Sequence, residues 1–210
     1  MFPLKRRQFL QFAAFTLATL GLNQLDLQQQ SIRYARALAQ PAPRKKALLV
    51  GINQYTHDRR FTDLKGCLTD VELQQRLLID RFGFHPEDIH ILTDNTPQKP
   101  TRDNILNEFE THLIHNTNPG DVVVFHYSGH GSRFRDPNPR TTPTGTAIPD
   151  NSTLVPMSLS PNDSELPDIM GKTLFLLTSA INTDYVTVVL DSCHSSGGTS
   201  RLRRKFTDYF

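Results

Sequence analysis

Two short segments of the sequence hold the residue types that nucleophilic catalysis needs. The first is Ser128-Gly129-His130-Gly131, and the second, Asp191-Ser192-Cys193-His194-Ser195-Ser196-Gly197-Gly198, contains the cysteine. A cysteine thiolate is the nucleophile in such chemistry, a histidine manages its proton, and hydrogen-bond donors stabilise the oxyanion that forms. The two segments therefore indicate cysteine-based catalysis by Cys193 and His130.

Glycines lie close in sequence to both His130 and Cys193. Gly129 and Gly131 stand beside the histidine, and Gly197 and Gly198 follow the cysteine. Glycine lets the backbone come close to a substrate. We expect the oxyanion hole to be formed by the backbone amides of Gly131 and Cys193.

Two other interpretations of these residues stay open at this point. Taken singly, a cysteine after a buried strand is usually a small core residue, and a lone histidine is usually a hydrogen-bonded structural residue. The other interpretation is a zinc site, because His126 and His130 are four residues apart and Cys193-His194 adds two ligand types. His126 lies within a predicted strand and His130 beyond its end, so no helix aligns them, and we expect no metal at these residues.

The hydrophobic pattern predicts the elements that carry the two segments. Apolar runs predict buried strands over 47–52, 89–92, 121–127 and 185–190, and near-helical spacing predicts helices over 68–82, 101–115 and 171–181. This alternation predicts an α/β fold, with a mostly parallel sheet of about four main strands and helices on both faces. Residues 132–170 are rich in Pro, Asn, Ser and Thr, which predicts a long functional or mobile loop with a short strand at 154–155.

The predicted fold brings the two segments to one edge of the sheet. In parallel sheets the ligand site lies beyond the carboxyl ends of the strands. Residues 128–131 follow the third predicted strand and residues 191–198 follow the last one. We therefore expect His130 and Cys193 to be neighbours.

Composition and charge exclude several classes of protein. The chain has 210 residues, with 37% hydrophobic and 21% charged residues, which is typical of one globular domain. Two cysteines are too few for a disulfide scaffold, and no apolar run reaches the roughly 18 residues of a membrane span. The net charge is +2, but residues 1–39 carry +4 and the remainder −2, so the body has no basic surface for nucleic acid.

The first 39 residues have the features of an export signal. Lys5-Arg6-Arg7-Gln8-Phe9-Leu10 precedes a mildly apolar stretch, and Ala37-Leu38-Ala39 offers a small-x-small cleavage site. This pattern predicts a twin-arginine leader over 1–39 and export of the folded protein to the periplasm or its equivalent. The alternative is an amphipathic helix that stays attached to a cytoplasmic protein. We place a linker at 40–45, the catalytic domain at 46–200 and a basic tail at 201–210.

The motifs also resemble those of a known family. His126-Tyr127-Ser128-Gly129-His130-Gly131 together with Asp191-Ser192-Cys193-His194-Ser195 closely resembles the caspase-like cysteine peptidases, in the large p20-type catalytic subunit of the metacaspase and bacterial orthocaspase branch of peptidase family C14. Residues 46–52, followed by Asn53 and Tyr55, are similar to the first strand of the family and the loop after it. The segment 64–70 is similar to the segment that opens its first helix. The resemblance spans roughly residues 45–200 and implies a three-layer caspase-like fold.

The resemblance also implies a role for each matching residue. It makes His130 the general base and acid, Cys193 the nucleophile, and the protein an endopeptidase that cleaves after Arg or Lys. The basic side chain would be held by an acidic pocket, whose matching positions are Cys67, Asp70, Ser128 and Asp191. Two carboxylates suit a guanidinium, which favours forked contacts. The alternative for Asp70 is a first-turn carboxylate that interacts with the helix dipole.

The sequence departs from the family where many members bind calcium. Met157-Ser158 follow Thr153-Leu154-Val155-Pro156 where an acidic residue is usual, and Gly171-Lys172 stand where an acidic pair is expected. Other acidic residues lie nearby, namely Asp163, Glu165 and Asp168. We therefore expect no cofactor, with calcium kept open only through the resemblance.

The family continues into a small-subunit region, whereas this sequence ends at Phe210. Besides protein or peptide substrates, we expect either a separate small subunit or self-association through an open sheet edge. Two functional classes follow. One is an active cysteine endopeptidase, and the other is a truncated, inactive pseudo-enzyme or partner-binding module.

Overall fold

The computed structural model describes residues 43–58, 60–134, 151–160 and 168–192, together with Ile32, Ala35, Arg36 and Leu38. These four single residues are helical and belong to a compact unit, Met1–Ala42, while Pro43–Phe210 forms a second unit. Apart from them, the predicted leader over 1–39 lies outside the described residues. The predicted tail over 201–210 lies outside them as well.

Within the described residues, two sheets and three helices make up the second unit. The main sheet contains β1 (Lys45–Gly51), β2 (Ile89–Thr93), β3 (Val122–Ser128) and β7 (Tyr185–Asp191), all parallel, in the order β2-β1-β3-β7. The smaller sheet is antiparallel and contains β4 (Gly131–Phe134), β5 (Asn151–Leu154) and β6 (Ile169–Met170) in that order. The helices are α1 (Cys67–Phe82), α2 (Arg102–Glu108) and α3 (Gly171–Ala180). A 3₁₀ turn (Pro86–Asp88) precedes β2, and a π-helical turn (Phe109–Ile114) continues α2.

Helices cover both faces of the main sheet, as the sequence predicts. Alternate residues of each strand point to opposite faces. One face of β1 and β3 packs with α2, its π-helical turn and α3 in a core that includes Leu48, Val50, Val123, Phe125, Ile105, Phe109 and Leu174. The other face packs against α1. Both faces of β1 and β3 are buried, which explains why these strands are continuous apolar runs.

The helix ends follow local signals in the sequence. Gly83 has a left-handed backbone (φ 67°), and its amide donates to the carbonyl of Ile79, which ends α1. The Thr101 side chain accepts a hydrogen bond from the Asn104 amide at 3.3 Å and caps α2. Among the described helices, none has both the length and the apolar character to cross a bilayer.

The structure differs from the sequence prediction at the start of the domain and in the predicted loop. β1 begins at Lys45, inside the segment predicted as a linker, because Lys45 and Lys46 pair with Val122 and Val123 of β3. The predicted loop over 132–170 contains β4, β5 and β6, although only a strand at 154–155 is predicted there. These strands have two to four residues, which is too short for a periodic pattern, so their pairing with distant residues decides them.

The first turn of α1 lies against the end of β1 at Gly51. A Cβ atom built on this glycine would lie 2.7 Å from Cγ2 of Val71 and 2.8 Å from the carbonyl oxygen of Cys67. Both distances are shorter than ordinary van der Waals contact. The absence of a side chain at Gly51 therefore sets how close α1 can approach the sheet.

Exchange of Gly51 for alanine is expected to lower the free energy of unfolding by about 1–3 kcal/mol, because the added methyl group overpacks this contact. Denaturant unfolding measures the change. Val71→Ala is made in both the natural protein and the Gly51→Ala protein, since it removes one of the two short contacts. Val71→Ala should lower the free energy of unfolding less in the Gly51→Ala protein than in the natural one. Unchanged stability of Gly51→Ala would contradict the close approach.

Candidate active site

The carboxyl ends of three strands lie side by side. In the sheet register Ser128 is paired with Gly51 on one side and with Asp191 on the other. Just beyond the strands, the Ile52 amide donates to the Ser128 carbonyl at 3.0 Å, and the Gly129 amide donates to the Asp191 carbonyl at 3.2 Å. His130 therefore stands two residues beyond one strand end. Cys193 stands two residues beyond the neighbouring one in sequence, and it lies outside the described residues.

The four residues expected to form an acidic pocket lie together on the α1 face of the sheet. The Ser128 hydroxyl donates to Oδ2 of Asp70 at 2.8 Å, and Asp70 lies in the first turn of α1. Burial raises the pKa of the Cys67 thiol, which is also hydrogen-bonded to Ser128 and close to both Asp70 and Asp191. Burial, with the nearby Asp70 carboxylate, also raises the pKa of Asp191. The cluster thus combines two carboxylates with a hydroxyl and a thiol.

Among the described residues, the carboxylates of this cluster have no cationic partner. No salt bridge in the described part of the chain uses Asp70 or Asp191. Burial and the neighbouring Asp70 carboxylate raise the pKa of Asp191, so its ionised form is disfavoured. A cationic group placed between the two carboxylates would remove that penalty.

The side chain of His130 is held by the loop that follows β1. Its Nε2 lies 2.8 Å from the carbonyl oxygen of Thr62. The ring centroid lies 4.7 Å from that of Tyr55, in an edge-on arrangement, and 4.8 Å from that of Phe61. A carbonyl oxygen only accepts, so Nε2 carries the proton in the neutral ring and Nδ1 is the unprotonated nitrogen. Nδ1 is therefore the atom that would take a proton.

Two buried tyrosines hold the backbone of His130. The Tyr55 hydroxyl accepts from the His130 amide at 2.9 Å. The Tyr127 hydroxyl lies 2.7 Å from the Val155 carbonyl oxygen and 2.9 Å from that of His130, so it donates between them. Burial raises the pKa of both hydroxyls, which keeps them neutral. Sequence reasoning assigned neither tyrosine a role, although Tyr127 directly precedes the glycine-rich segment, and that position was an available signal.

Gly129 is needed beneath these hydroxyls. A Cβ atom at this position would lie 2.7 Å from the Tyr55 hydroxyl oxygen and 2.8 Å from that of Tyr127. Any larger residue would displace the groups that fix His130. The glycine therefore serves the packing of the two tyrosines as well as the expected approach of a substrate.

An arginine joins the loop beside His130 to the smaller sheet. Nε and Nη2 of Arg60 lie 3.0 and 2.8 Å from the two carboxylate oxygens of Asp58, which is 2% exposed. Nη2 also lies 2.8 Å from Oδ1 of Asp168, whose Oδ2 accepts from Thr153 at 2.7 Å. Arg60 holds the pKa of Asp58 below its usual range. Sequence reasoning missed this contact, because Arg60 and Asp168 are 108 residues apart.

The described residues offer no clear place for a metal ion. Among them, no group of three or more His, Cys, Asp or Glu side chains lies close enough to hold one. Both carboxylate oxygens of Asp168 are already used by Arg60 and Thr153, so a calcium ion there would compete with a guanidinium. Asp163 and Glu165 lie outside the described residues.

Residues 45–200 match the family model described as metacaspase, peptidase C14 domain. The chain belongs to the metacaspase family. It is 36% identical over 156 residues to Metacaspase-7 of Arabidopsis thaliana, covering 73% of this chain and 35% of the relative. It is 34% identical over 162 residues to Metacaspase-1 of Schizosaccharomyces pombe, covering 73% and 34%. This metacaspase chain thus spans about a third of the length of these relatives.

A solved structure supports the fold. The crystal structure of protein GSU0716 from Geobacter sulfurreducens superposes with a TM-score of 0.53 at 23% identity, covering 73% of this chain and 51% of that one. The four-stranded parallel sheet with helices on both faces is consistent with the caspase-like fold that the resemblance implies. Metacaspases of peptidase family C14 are cysteine peptidases, so the family is one of hydrolases.

Exchange of Arg60 for glutamine is expected to lower the free energy of unfolding by about 1–3 kcal/mol, because the buried Asp58 carboxylate loses its ionic partner. Thermal unfolding at neutral pH measures this. Arg102→Gln is the matched control, since its pair with Asp103 spans 3.8 Å and is largely exposed. That exchange should change stability by less than about 0.5 kcal/mol. Equal losses in the two variants would contradict a structural role for the Arg60 contacts.

Proposed function

We propose that this metacaspase chain is a cysteine endopeptidase in which Cys193 is the nucleophile and His130 the general base and acid. The observation that carries the proposal is the register of β3 and β7, in which Ser128 is paired with Asp191. Because of this register, the segments that contain His130 and Cys193 begin side by side at the carboxyl edge of the main sheet. Two residues of chain on each side are enough to bring a histidine and a cysteine into reach of one substrate.

The proposed reaction begins at Nδ1 of His130. With Nε2 donating to the Thr62 carbonyl, Nδ1 takes the thiol proton of Cys193, and the thiolate attacks the carbonyl carbon of the scissile peptide. The resulting oxyanion accepts hydrogen bonds from the backbone amides of Gly131 and Cys193. His130 then returns the proton to the leaving amine. Water, deprotonated by the same nitrogen, hydrolyses the acyl-enzyme and restores the thiol.

The acidic cluster supports a preference for a basic residue before the cut. Asp70 and Asp191 flank the strand end from which His130 projects, and Ser128 is hydrogen-bonded to Asp70. A guanidinium or ammonium between the carboxylates forms charge-assisted hydrogen bonds and offsets the repulsion between Asp70 and Asp191. We therefore propose cleavage after Arg or Lys.

A second candidate function is a partner-binding module without activity of its own. The observation that favours it is the outer edge of β7, which pairs with β3 alone among the described strands. An unpaired strand edge with partly buried apolar residues such as Val188 and Leu190 suits another strand. A separate small subunit and a second copy are the two proposed occupants.

Export by the twin-arginine route stays a prediction from the sequence.

Cys193→Ala is expected to abolish hydrolysis of a short arginyl reporter peptide, and His130→Ala to reduce it nearly as far, because the two residues act as a unit. Release of the reporter group measures the rate. His115→Ala is the matched control, since His115 is exposed and follows the π-helical turn, ahead of the amino end of β3. Activity retained by Cys193→Ala would contradict the nucleophile. An inactive natural protein that binds a partner chain would favour the second function.

Asp191→Asn is expected to lower kcat/KM for arginyl and lysyl reporters, because a charge-assisted contact becomes a neutral one. The decrease corresponds to a loss of about 1.5–3 kcal/mol of transition-state stabilisation. Asp70→Asn should act in the same direction. Asp103→Asn, at a carboxylate that is 94% exposed, is the control and should change nothing. Preferential cleavage after aspartate by the natural protein would overturn the acidic pocket.

A further inference from the structure

His126 is a histidine of the main sheet whose side chain is buried. It lies in β3 and is 4% exposed. Neither ring nitrogen has a hydrogen-bond partner among the described residues. Buried polar atoms are nearly always hydrogen-bonded, and leaving one unpaired costs about as much as losing a hydrogen bond. Two unpaired nitrogens in one ring therefore call for an explanation.

The position of His126 relates it to the acidic cluster. It precedes Ser128 by two residues, so both side chains lie on the same face of β3, roughly 7 Å apart along the strand. Its neighbours in the sheet register are Leu49 and Val189, which are apolar. The charged group that acts on its ring is the carboxylate of Asp70. His126 thus lies one residue pair deeper than the cluster and on its side of the sheet.

His126 is neutral at physiological pH. Burial lowers its pKa to about 4, and the attraction of Asp70 offsets only part of this effect. A neutral imidazole has one nitrogen that accepts and one that donates. The unprotonated nitrogen of His126 thus offers a neutral hydrogen-bond acceptor that lies deeper than the two carboxylates of the cluster.

We propose that His126 is a specificity-determining residue that makes the acidic cluster prefer arginine over lysine. Its unprotonated nitrogen accepts one N–H of the guanidinium, while Asp70 and Asp191 neutralise the charge. This inference rests on the proposed function, because it assumes that the cluster receives the basic side chain of the substrate.

The chemistry of the two basic side chains explains the discrimination. A guanidinium is planar, carries five N–H donors in a fixed fork and is weakly hydrated. It can therefore contact the carboxylates and a deeper neutral acceptor together. An ammonium is compact and strongly hydrated, so two carboxylates already satisfy its charge and the imidazole adds little.

The kinetic test compares two reporters that differ only in arginine or lysine before the cut. His126→Leu removes both nitrogens at similar volume, and His126→Gln keeps an acceptor. We expect kcat/KM of His126→Leu to fall about tenfold or more for arginine, as for one lost hydrogen bond, and less than about twofold for lysine. His126→Gln should keep most of the preference for arginine.

His112→Leu is the control for the loss of a buried histidine. His112 is 6% exposed, has a pKa lowered to about 4 by burial, and lies on the π-helical turn rather than on the α1 face of the sheet. Its exchange should leave the ratio of the two reporters unchanged. Equal losses on both reporters in His126→Leu, or an unchanged ratio, would overturn the inference.

A binding experiment on the natural protein covers the case in which His126→Leu does not fold. Nitrogen NMR follows the ring of His126 while butylguanidine, which carries only a guanidinium, or pentylamine, which carries only an ammonium, is added. We expect butylguanidine to shift one ring nitrogen and pentylamine to leave it unchanged. Equal shifts, or no shift at saturating butylguanidine, would overturn the inference. If the natural protein cleaves neither reporter but butylguanidine shifts His126, the proposed function fails and the recognition of guanidinium stands.

Discussion

The arrangement of the site depends on the parallel register of three strands. Gly51, Ser128 and Asp191 form one row across β1, β3 and β7. Because side chains alternate along a strand, this row also decides which residues face α1. A shift of one residue in β3 would move Ser128 and His126 to the opposite face and bring Tyr127 beneath α1. Both faces are closely packed, so such a shift would press side chains of different size against both layers of helices, which makes it costly.

A second constraint acts on the loop between β1 and α1. This loop supplies Tyr55, Phe61 and Thr62, all of which contact His130. The ionic contacts of Arg60 with Asp58 and Asp168 attach the same loop to the smaller sheet. The histidine is therefore oriented by a segment that is anchored at both the main and the smaller sheet. Loss of either attachment would therefore make the orientation of the His130 ring less defined, even though the lost contact does not involve the ring.

The main sheet could be predicted because its strands are buried on both faces and stand out as apolar runs. The predicted ranges 68–82 and 101–115 likewise placed the end of α1 at Phe82 and the start of α2 within one residue of Arg102. The smaller sheet could not be predicted, since its strands are short and their pairing is set by residues far away in sequence. The π-helical turn interrupts a pattern that predicts a continuous helix over 101–115.

For the site, the order of strands and motifs predicted the adjacency of the two strand ends, and the family resemblance implied that Cys67 and Asp70 lie near them. The contacts that orient His130 were beyond sequence reasoning. They depend on where hydroxyl and carbonyl groups converge after folding, as with Tyr127 and Val155, and no spacing along the chain encodes that convergence. The same holds for His126, because only the folded structure shows that its ring is buried and that its nitrogens have no partner in the described part of the chain.

The partner of His130 at Nε2 is a main-chain oxygen, that of Thr62. In many hydrolases an aspartate side chain has this task, and its replacement exposes the role at once. Here nearly every amino acid at position 62 offers the same carbonyl. Substitution scanning would therefore pass over the residue that fixes the tautomer. The contact therefore constrains the path of the backbone around position 62 and not the side chain that stands there.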